Sequence, residues 1–415
     1  MFIKIIAFIF VFSIIVCIHE YGHMFFAKRA GVLVLEFAIG MGPKIFSHRG
    51  KDGTYYNIRL LPVGGYVRMA GWSFDDIEIK KGTAVSLQIE NEKVKKVNLS
   101  ERLELENSLP LLVTEYDFEN KLYIKGEYLG EEKSYEVDSE ATVIEEDGTE
   151  LRITPNDRKY ASASVLNRIL INLAGPVSNF ILGLFVFILI NFMQAGVPSE
   201  RPVIGTVYEN YPAMAAGLKS GDLILEVNAV KVESWTDLSE EIHSSKTKDI
   251  QIKYKRDNQE KEISILAEKS GNNYVIGITP SLDTGFLVRL SAGFKDTFST
   301  MTLIVRALGE LITQPDLNDL GGPVAIFEVT GQAASLGMAS LLSLLASLSI
   351  NIGIFNLLPI PFLDGGRILL VLIEWVRKKP LAPEKEQLIL YISAIFLIIL
   401  MLAVTWNDIM RAFIR

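Results

Sequence analysis

The 415-residue chain is poor in the groups that staple or decorate soluble proteins: it has one cysteine, Cys17, and four histidines. A single cysteine excludes an intrachain disulfide in any compartment. Basic residues are in the minority, 41 against 49 acidic ones, for a net charge of −8. No stripe of lysine and arginine interleaved with aromatics occurs, so nucleic acid is not expected as a partner. Internal repeats and low-complexity tracts are lacking too. What the chain has is oil, 49% apolar residues, gathered in runs over residues 2–27, 165–197, 338–376 and 387–406. Each is long enough to cross a bilayer core, and the stretches between them have ordinary soluble composition.

The first run, preceded by a single lysine at position 4, leads into His19-Glu20-Tyr21-Gly22-His23. On a helix, His-Glu-x-x-His puts two imidazoles one turn apart on one face with a carboxylate beside them, the arrangement of zinc hydrolases. Ionisable side chains in such a span cost about 2.5–3.5 kcal/mol each, and a bound zinc ion would offset that. A cleaved secretory signal is the competing reading of this segment. Val16 stands before Cys17 where a small residue would be expected, and no small-x-small site follows.

Catalytic zinc usually has three protein ligands, and the two remaining histidines, His48 and His243, lie in a polar turn and in a soluble-looking module. A carboxylate near the membrane is the better place to look. After the third run comes Asn356-Leu357-Leu358-Pro359-Ile360-Pro361-Phe362-Leu363-Asp364-Gly365-Gly366. The prolines break the helix, the glycines are expected to let the chain turn sharply around Asp364, and Arg367 is its one obvious basic neighbour.

Between these motifs, residues 34–71 are apolar, strand-like and glycine-rich, with Gly50-Lys51-Asp52-Gly53 as a turn. They predict a membrane-associated β-hairpin: either a hairpin packed on the cytoplasmic face or one that dips toward the active site and offers an open edge carrying Gly40, Gly42, Gly64 and Gly65. Residues 73–160 read as a polar, β-rich insert with turn signals at Gly126, Gly130 and Asp147-Gly148. The second span contains Gly175-Pro176-Val177-Ser178-Asn179. Asn179 there serves either a neighbouring helix or the site. Residues 201–281 resemble a PDZ domain through Ile204–Val207 and Tyr211–Asn228, although Ala229 stands where glycine usually follows that asparagine. Residues 286–335 are amphipathic and expected at the outer interface.

In that order along the chain, the zinc motif, the glycine-rich hairpin, Gly175-Pro176-x-x-Asn179, the PDZ-like module and the Asn356–Gly366 motif resemble bacterial site-2 proteases, the RseP/RasP type of PDZ-containing intramembrane zinc metalloprotease. The resemblance covers nearly the whole chain. It implies one Zn²⁺ per chain held by His19, His23 and Asp364, Glu20 as catalytic acid/base, and Asn179 and Asn356 as substrate-binding or oxyanion-supporting amides. It also implies hydrolysis of peptide bonds within single-span membrane proteins (anti-sigma factors and remnant signal peptides), after an upstream site-1-type protease has shortened them, with the PDZ domain as gate. A non-catalytic PDZ-containing membrane scaffold is the alternative.

The expected fold is a polytopic α-helical membrane protein. A first transmembrane helix (1–30) is followed by the hairpin (34–71), a cytoplasmic insert (73–160) and a second transmembrane helix (165–197). An extracytoplasmic PDZ domain (201–281) and the interfacial segment (286–335) come next, then a third transmembrane region (338–376) and a fourth helix (387–408). Basic residues after the first span (Lys28, Arg29, Lys44), before the second (Arg158, Lys159, Arg168) and after the third (Arg377, Lys378, Lys379) mark cytoplasmic loops of a bacterial plasma-membrane protein, which leaves both termini outside. Arg411 and Arg415 point the other way but are outnumbered.

Overall fold

The computed structural model describes residues 1–71, 79–100, 103, 105–144, 146, 150–245, 247–271, 273–316, 318 and 320–414. The Asp147-Gly148 turn signal and Arg415 lie outside them. Among the described residues four helices are long and apolar enough to cross a membrane: Phe2–Arg29, Val165–Met193, Met338–Asn356 and a stretch over Glu384–Arg411. The chain divides into two compact units, Met1–Gly183 with Thr300–Arg415, and Leu184–Ser299.

In the first unit, α1 (Phe2–Arg29) is apolar all round, yet it buries one stripe, Ala7, Val11, Ile15, His19, His23 and Ala27. These positions recur every four residues and so share one face; Phe2, Ile6, Phe10 and Phe25 are exposed on the others. His19 and His23 therefore sit in the protein-facing seam. Lys28 and Arg29 in the last turn complement the helix dipole.

Strands β1 (Val34–Arg49) and β2 (Tyr55–Met69) follow. They do not form the simple hairpin expected. Tyr56 pairs with both His48 and Phe37, and Phe37 pairs with both Tyr56 and Val67. Each long strand thus bends and is used twice, giving a mixed sheet ordered 44–49, 55–59, 34–39, 65–69, in which 55–58 runs parallel to 36–39 and the two outer pairings are antiparallel. The bends fall where glycines take positive φ, at Gly40 (+85°), Gly42 (+84°) and Gly64 (+73°), beside Pro43 and Pro62. Among the described residues segment 65–69 is an edge. Lys28 Nζ, donating to Asp52 Oδ2 (2.5 Å) and Tyr56 Oη (2.9 Å), ties the 50–53 turn to the end of α1.

Strands β3 (Ala84–Glu90), β4 (Lys93–Asn98), β5 (Ser108–Asp117), β6 (Tyr123–Tyr128), β7 (Glu131–Ile144) and β8 (Glu150–Arg152) make up the insert. The parallel pairing of β4 with β7 closes β3–β7 into a five-stranded barrel around Leu87, Val97, Ile124 and Val143. Arg152 Nη1 donates to the Asp52 carbonyl (3.2 Å), linking this barrel to the sheet.

Helix α2 (Val165–Met193) runs from the first unit into the second. The second unit holds α3 (Pro212–Ala215), α4 (Trp235–His243) and a four-stranded sheet whose central strands are Leu223–Val227 and Asp249–Arg256. Asn228 and Ala229, both at positive φ (48° and 63°), make the tight turn into Val230–Lys231. Ala229 holds a left-handed conformation at a place where glycine would be unstrained.

Helix α5 (Phe286–Thr313) leads back to the first unit, and α6 (Pro323–Leu336) packs on α1 and α7 (Met338–Asn356). The expected interfacial segment 286–335 is therefore two helices. The expected third transmembrane region 338–376 is also two: α7 ends at Asn356 and α8 (Asp364–Arg377) starts afresh after the two prolines. Gly365 and Gly366 do not turn the chain sharply around Asp364. They are the first turn of α8, where a Cβ would lie 2.2 Å from the Leu357 carbonyl oxygen and 2.1 Å from that of Ile360. Close backbone approach is what demands glycine there. α9 (Pro383–Ile414) closes the chain, and its buried Asp408 accepts from the Ala325 N–H (3.0 Å) in the first turn of α6.

Candidate metal centre and active site

Helix α1 presents His19 and His23, and the start of α8 presents Asp364. The two Nε2 atoms are 3.2 Å apart, and Asp364 Oδ2 is 3.2 Å from that of His19 and 3.4 Å from that of His23. Among the described residues Oδ2 is buried without a well-formed hydrogen bond. Three lone-pair atoms at these separations fit tetrahedral zinc, whose ligands at about 2.0–2.2 Å lie about 3.3 Å from one another. Both histidines are buried and Asp364 is partly exposed, as three ligands that leave one position open should be.

Helix α2 backs this triangle. A Cβ on Gly175 would lie 2.2 Å from His23 Nε2 and 2.8 Å from His19 Cε1. The missing side chain is what lets both rings rest on the helix backbone. One turn over, a Cβ on Gly22 would lie 2.5 Å from the Ala174 carbonyl oxygen, so α1 and α2 meet through small residues. His23 Nδ1 is 2.7 Å from the Ile171 carbonyl and donates to it, which leaves Nε2 as the free lone pair. α8 is tied to the same helix by Arg168 Nη1 and Glu374 Oε2 (2.7 Å).

In front of the triangle lies a cavity of about 340 Å³, lined by Glu20, Asn356, Phe362, Arg367 and the edge segment Gly64–Val67. The Glu20 carboxylate accepts from the Val67 backbone N–H. At Gly65 a Cβ would meet Val16 Cγ1 at 2.6 Å, so only glycine lets the sheet edge pass this close to α1 beside Glu20.

Of the residues singled out in the sequence, His19, Glu20, His23, Asp364, Asn356, Gly64 and Gly65 converge here. Asn179 does not line the cavity. It is fully buried behind His19, with its amide nitrogen 3.2 Å from His19 Nδ1. Gly40 and Gly42 face Leu61 within the sheet instead. His48 lies in β1 and His243 in α4, away from the triangle. Sequence reasoning missed the Ile171 carbonyl, the Val67 N–H and the cradle at Gly175. The first two are backbone groups with no residue signature, and only the Gly-Pro pair hinted at the third.

A sequence profile of Peptidase family M50 matches residues 7–400. This chain belongs to Peptidase family M50. The match bears out the resemblance to site-2 proteases drawn from the motifs, and it makes the chain a zinc metalloprotease of that family in a membrane. Similar proteins carry matching names. "Putative zinc metalloprotease LL2128" of Lactococcus lactis is 50% identical over 99% of both chains. "Probable protease eep" of Enterococcus faecalis is 47% identical, again over 99% of both. Among solved structures, the PDZ domain of an SdrC-like protein from Listeria innocua is similar to 20% of this M50 chain and 98% of its own, at 31% identity and a TM-score of 0.19.

Proposed function

We propose that this M50 peptidase is an intramembrane zinc endopeptidase that cuts single-span membrane proteins within their transmembrane segments, in regulated intramembrane proteolysis. The observation that carries the reading is the His19–His23–Asp364 triangle with Glu20 on the wall of a cavity shared with a sheet edge. Zinc, held by these three residues, would polarise the scissile carbonyl and acidify water. Glu20, oriented by the Val67 N–H, takes the proton from the attacking water and delivers it to the leaving nitrogen. Asn356 lines the cavity and has one amide hydrogen engaged with the Ile352 carbonyl (3.0 Å), so its amide serves substrate positioning or oxyanion support.

A helical substrate hides its peptide groups, and unwinding it in hydrocarbon strands them at several kcal/mol each. Segment 65–69, an edge, supports a remedy: the unwound segment adds to it as a strand beside Glu20. We assign the 201–281 module as an extracytoplasmic PDZ gate that admits substrates already shortened by a site-1-type protease. Anti-sigma factors and remnant signal peptides are the proposed substrates, at a bacterial plasma membrane with both termini outside.

The test is Glu20→Gln in purified, zinc-loaded full-length protein. Cleavage of a membrane-spanning reporter is expected to fall at least ~10²-fold with zinc content unchanged. Undiminished cleavage, or no cleavage by the unsubstituted protein with zinc, sinks the enzyme reading and favours a scaffold. Strand addition has its own test in synthetic transmembrane substrates N-methylated one residue at a time. Turnover should fall about fivefold, one hydrogen bond's worth, at every second position around the cleavage site. A pattern without that period of two would exclude strand addition.

A further inference from the structure

The two imidazoles of the triangle are held from behind by one helix, at residues 171, 175 and 179, which lie on one face of α2. For His23 the partner of Nδ1 is a carbonyl oxygen, an acceptor by nature. For His19 it is the side-chain amide of Asn179, nitrogen toward the ring at 3.2 Å, in a residue with no exposed surface. The amide oxygen of Asn179 is buried and, among the described residues, has no hydrogen-bond partner.

Those two facts have one solution. A donated N–H from Asn179 requires a lone pair on His19 Nδ1, and then the ring proton sits on Nε2, the atom aimed at Asp364 and His23. A proton there blocks ligation. Ligation through Nε2 requires Nδ1–H, which needs an acceptor. A half-turn of the amide about its terminal torsion exchanges nitrogen and oxygen in nearly the same volume. It gives Nδ1–H its acceptor and the unpartnered oxygen its donor. The Ser349 hydroxyl, donating to the Asn179 backbone carbonyl (2.8 Å), anchors the residue in place.

We propose that Asn179 is the positioning residue for His19, accepting the Nδ1 hydrogen through its amide oxygen and so presenting Nε2 to the metal, as the Ile171 carbonyl does for His23. This rests on the zinc reading above and moves Asn179 from the substrate side of the site to the ligand side. Such outer partners of a ligating histidine set ring orientation and basicity, and their loss typically lowers metal affinity 10–100-fold.

The experiment measures zinc affinity of full-length protein in detergent by competition with a chromophoric chelator, together with the absorption spectrum of the cobalt-substituted protein. Asn179→Leu, of similar volume without an acceptor, should bind zinc about 10–100-fold more weakly, alter the cobalt spectrum and lower kcat with KM unchanged. Asn179→Asp, which keeps an acceptor oxygen, should retain wild-type affinity. Should the leucine variant fail to fold, Asn179→Ala carries the same expectation. Wild-type zinc affinity and cobalt spectrum in Asn179→Leu, with KM raised instead, would make Asn179 a substrate residue and overturn the proposal. An aspartate variant as defective as the leucine variant would overturn it too, because it would show a donor to be needed. Protein that binds no zinc even with Asn179 intact fails one step earlier, at the metal reading itself.

Discussion

Gly175 shows how much of this site depends on an atom that is missing. Its absent Cβ is the space in which the two imidazoles lie, since the atoms such a Cβ would meet are His23 Nε2 and Cε1 and His19 Cε1. Gly175→Ala is therefore expected to push His23 off the triangle and lower zinc binding by at least the ~10–100-fold of a lost outer-shell partner, with thermal stability little changed. Metal analysis of purified protein after dialysis checks this, and full zinc occupancy would refute it. His19, Glu20 and His23 were legible because their spacing is dictated by the pitch of one helix. Asp364 became legible through the family motif, since nothing local ties residue 364 to residue 23. The role of Asn179 was not legible, because an asparagine in an apolar helix can face any of its neighbours.

At the scale of elements, the β1–β2 sheet departs most from expectation. Its glycines were visible, but whether they mark an open edge or a bend depends on what pairs with what. Gly40, Gly42 and Gly64 bend the strands, so that each strand contributes two segments to one sheet. A buried polar network holds the doubled arrangement: Asn57 Nδ2 (2.5 Å) and Arg59 Nη2 (2.7 Å) donate to Glu36 Oε1, and Arg59 Nη2 also reaches Tyr66 Oη (2.6 Å). Burial alone would raise the Glu36 carboxyl, but the hydrogen bonds from Asn57 and Arg59 outweigh it and hold the group below its ordinary value. Burial together with the Glu36 carboxylate pushes the Tyr66 hydroxyl up to about 12, so it stays protonated at neutral pH. A depressed carboxyl stabilises the fold above its unfolded-state pKa, and that contribution is lost as pH falls through the lower folded-state value. Glu36→Gln should thus cost about 2 kcal/mol at pH 7, and the difference from wild type should shrink below pH ~4. Thermal unfolding across that range measures it; a difference that does not vary with pH would exclude the ion pair as its source.

At the scale of the whole molecule, modules of ordinary soluble composition alternate with the apolar helices along the chain, the β-rich barrel between the first two and the 201–281 module between the second and third. The lone cysteine makes the proposed topology easy to test. In a Cys17→Ser background, Glu240→Cys in α4 and Glu127→Cys in β6 each place one thiol on an exposed position. A membrane-impermeant maleimide should label residue 240 in intact cells and residue 127 only after permeabilisation. The reverse result would invert the assignment of sides.

By itself the sequence determined the apolar helices, the His-Glu-x-x-His pair on one helical face and the places where the chain cannot continue a helix. Each follows from local periodicity, proline or glycine, which act within a turn or two. Tertiary structure alone decided that Asp364 meets those histidines, that α2 backs both rings, that the sheet doubles so that segment 65–69 becomes the edge beside Glu20, and that Gly365 and Gly366 serve close packing. These depend on contacts between separate elements, where shape and the partner, and no sequence spacing, set which atoms face each other.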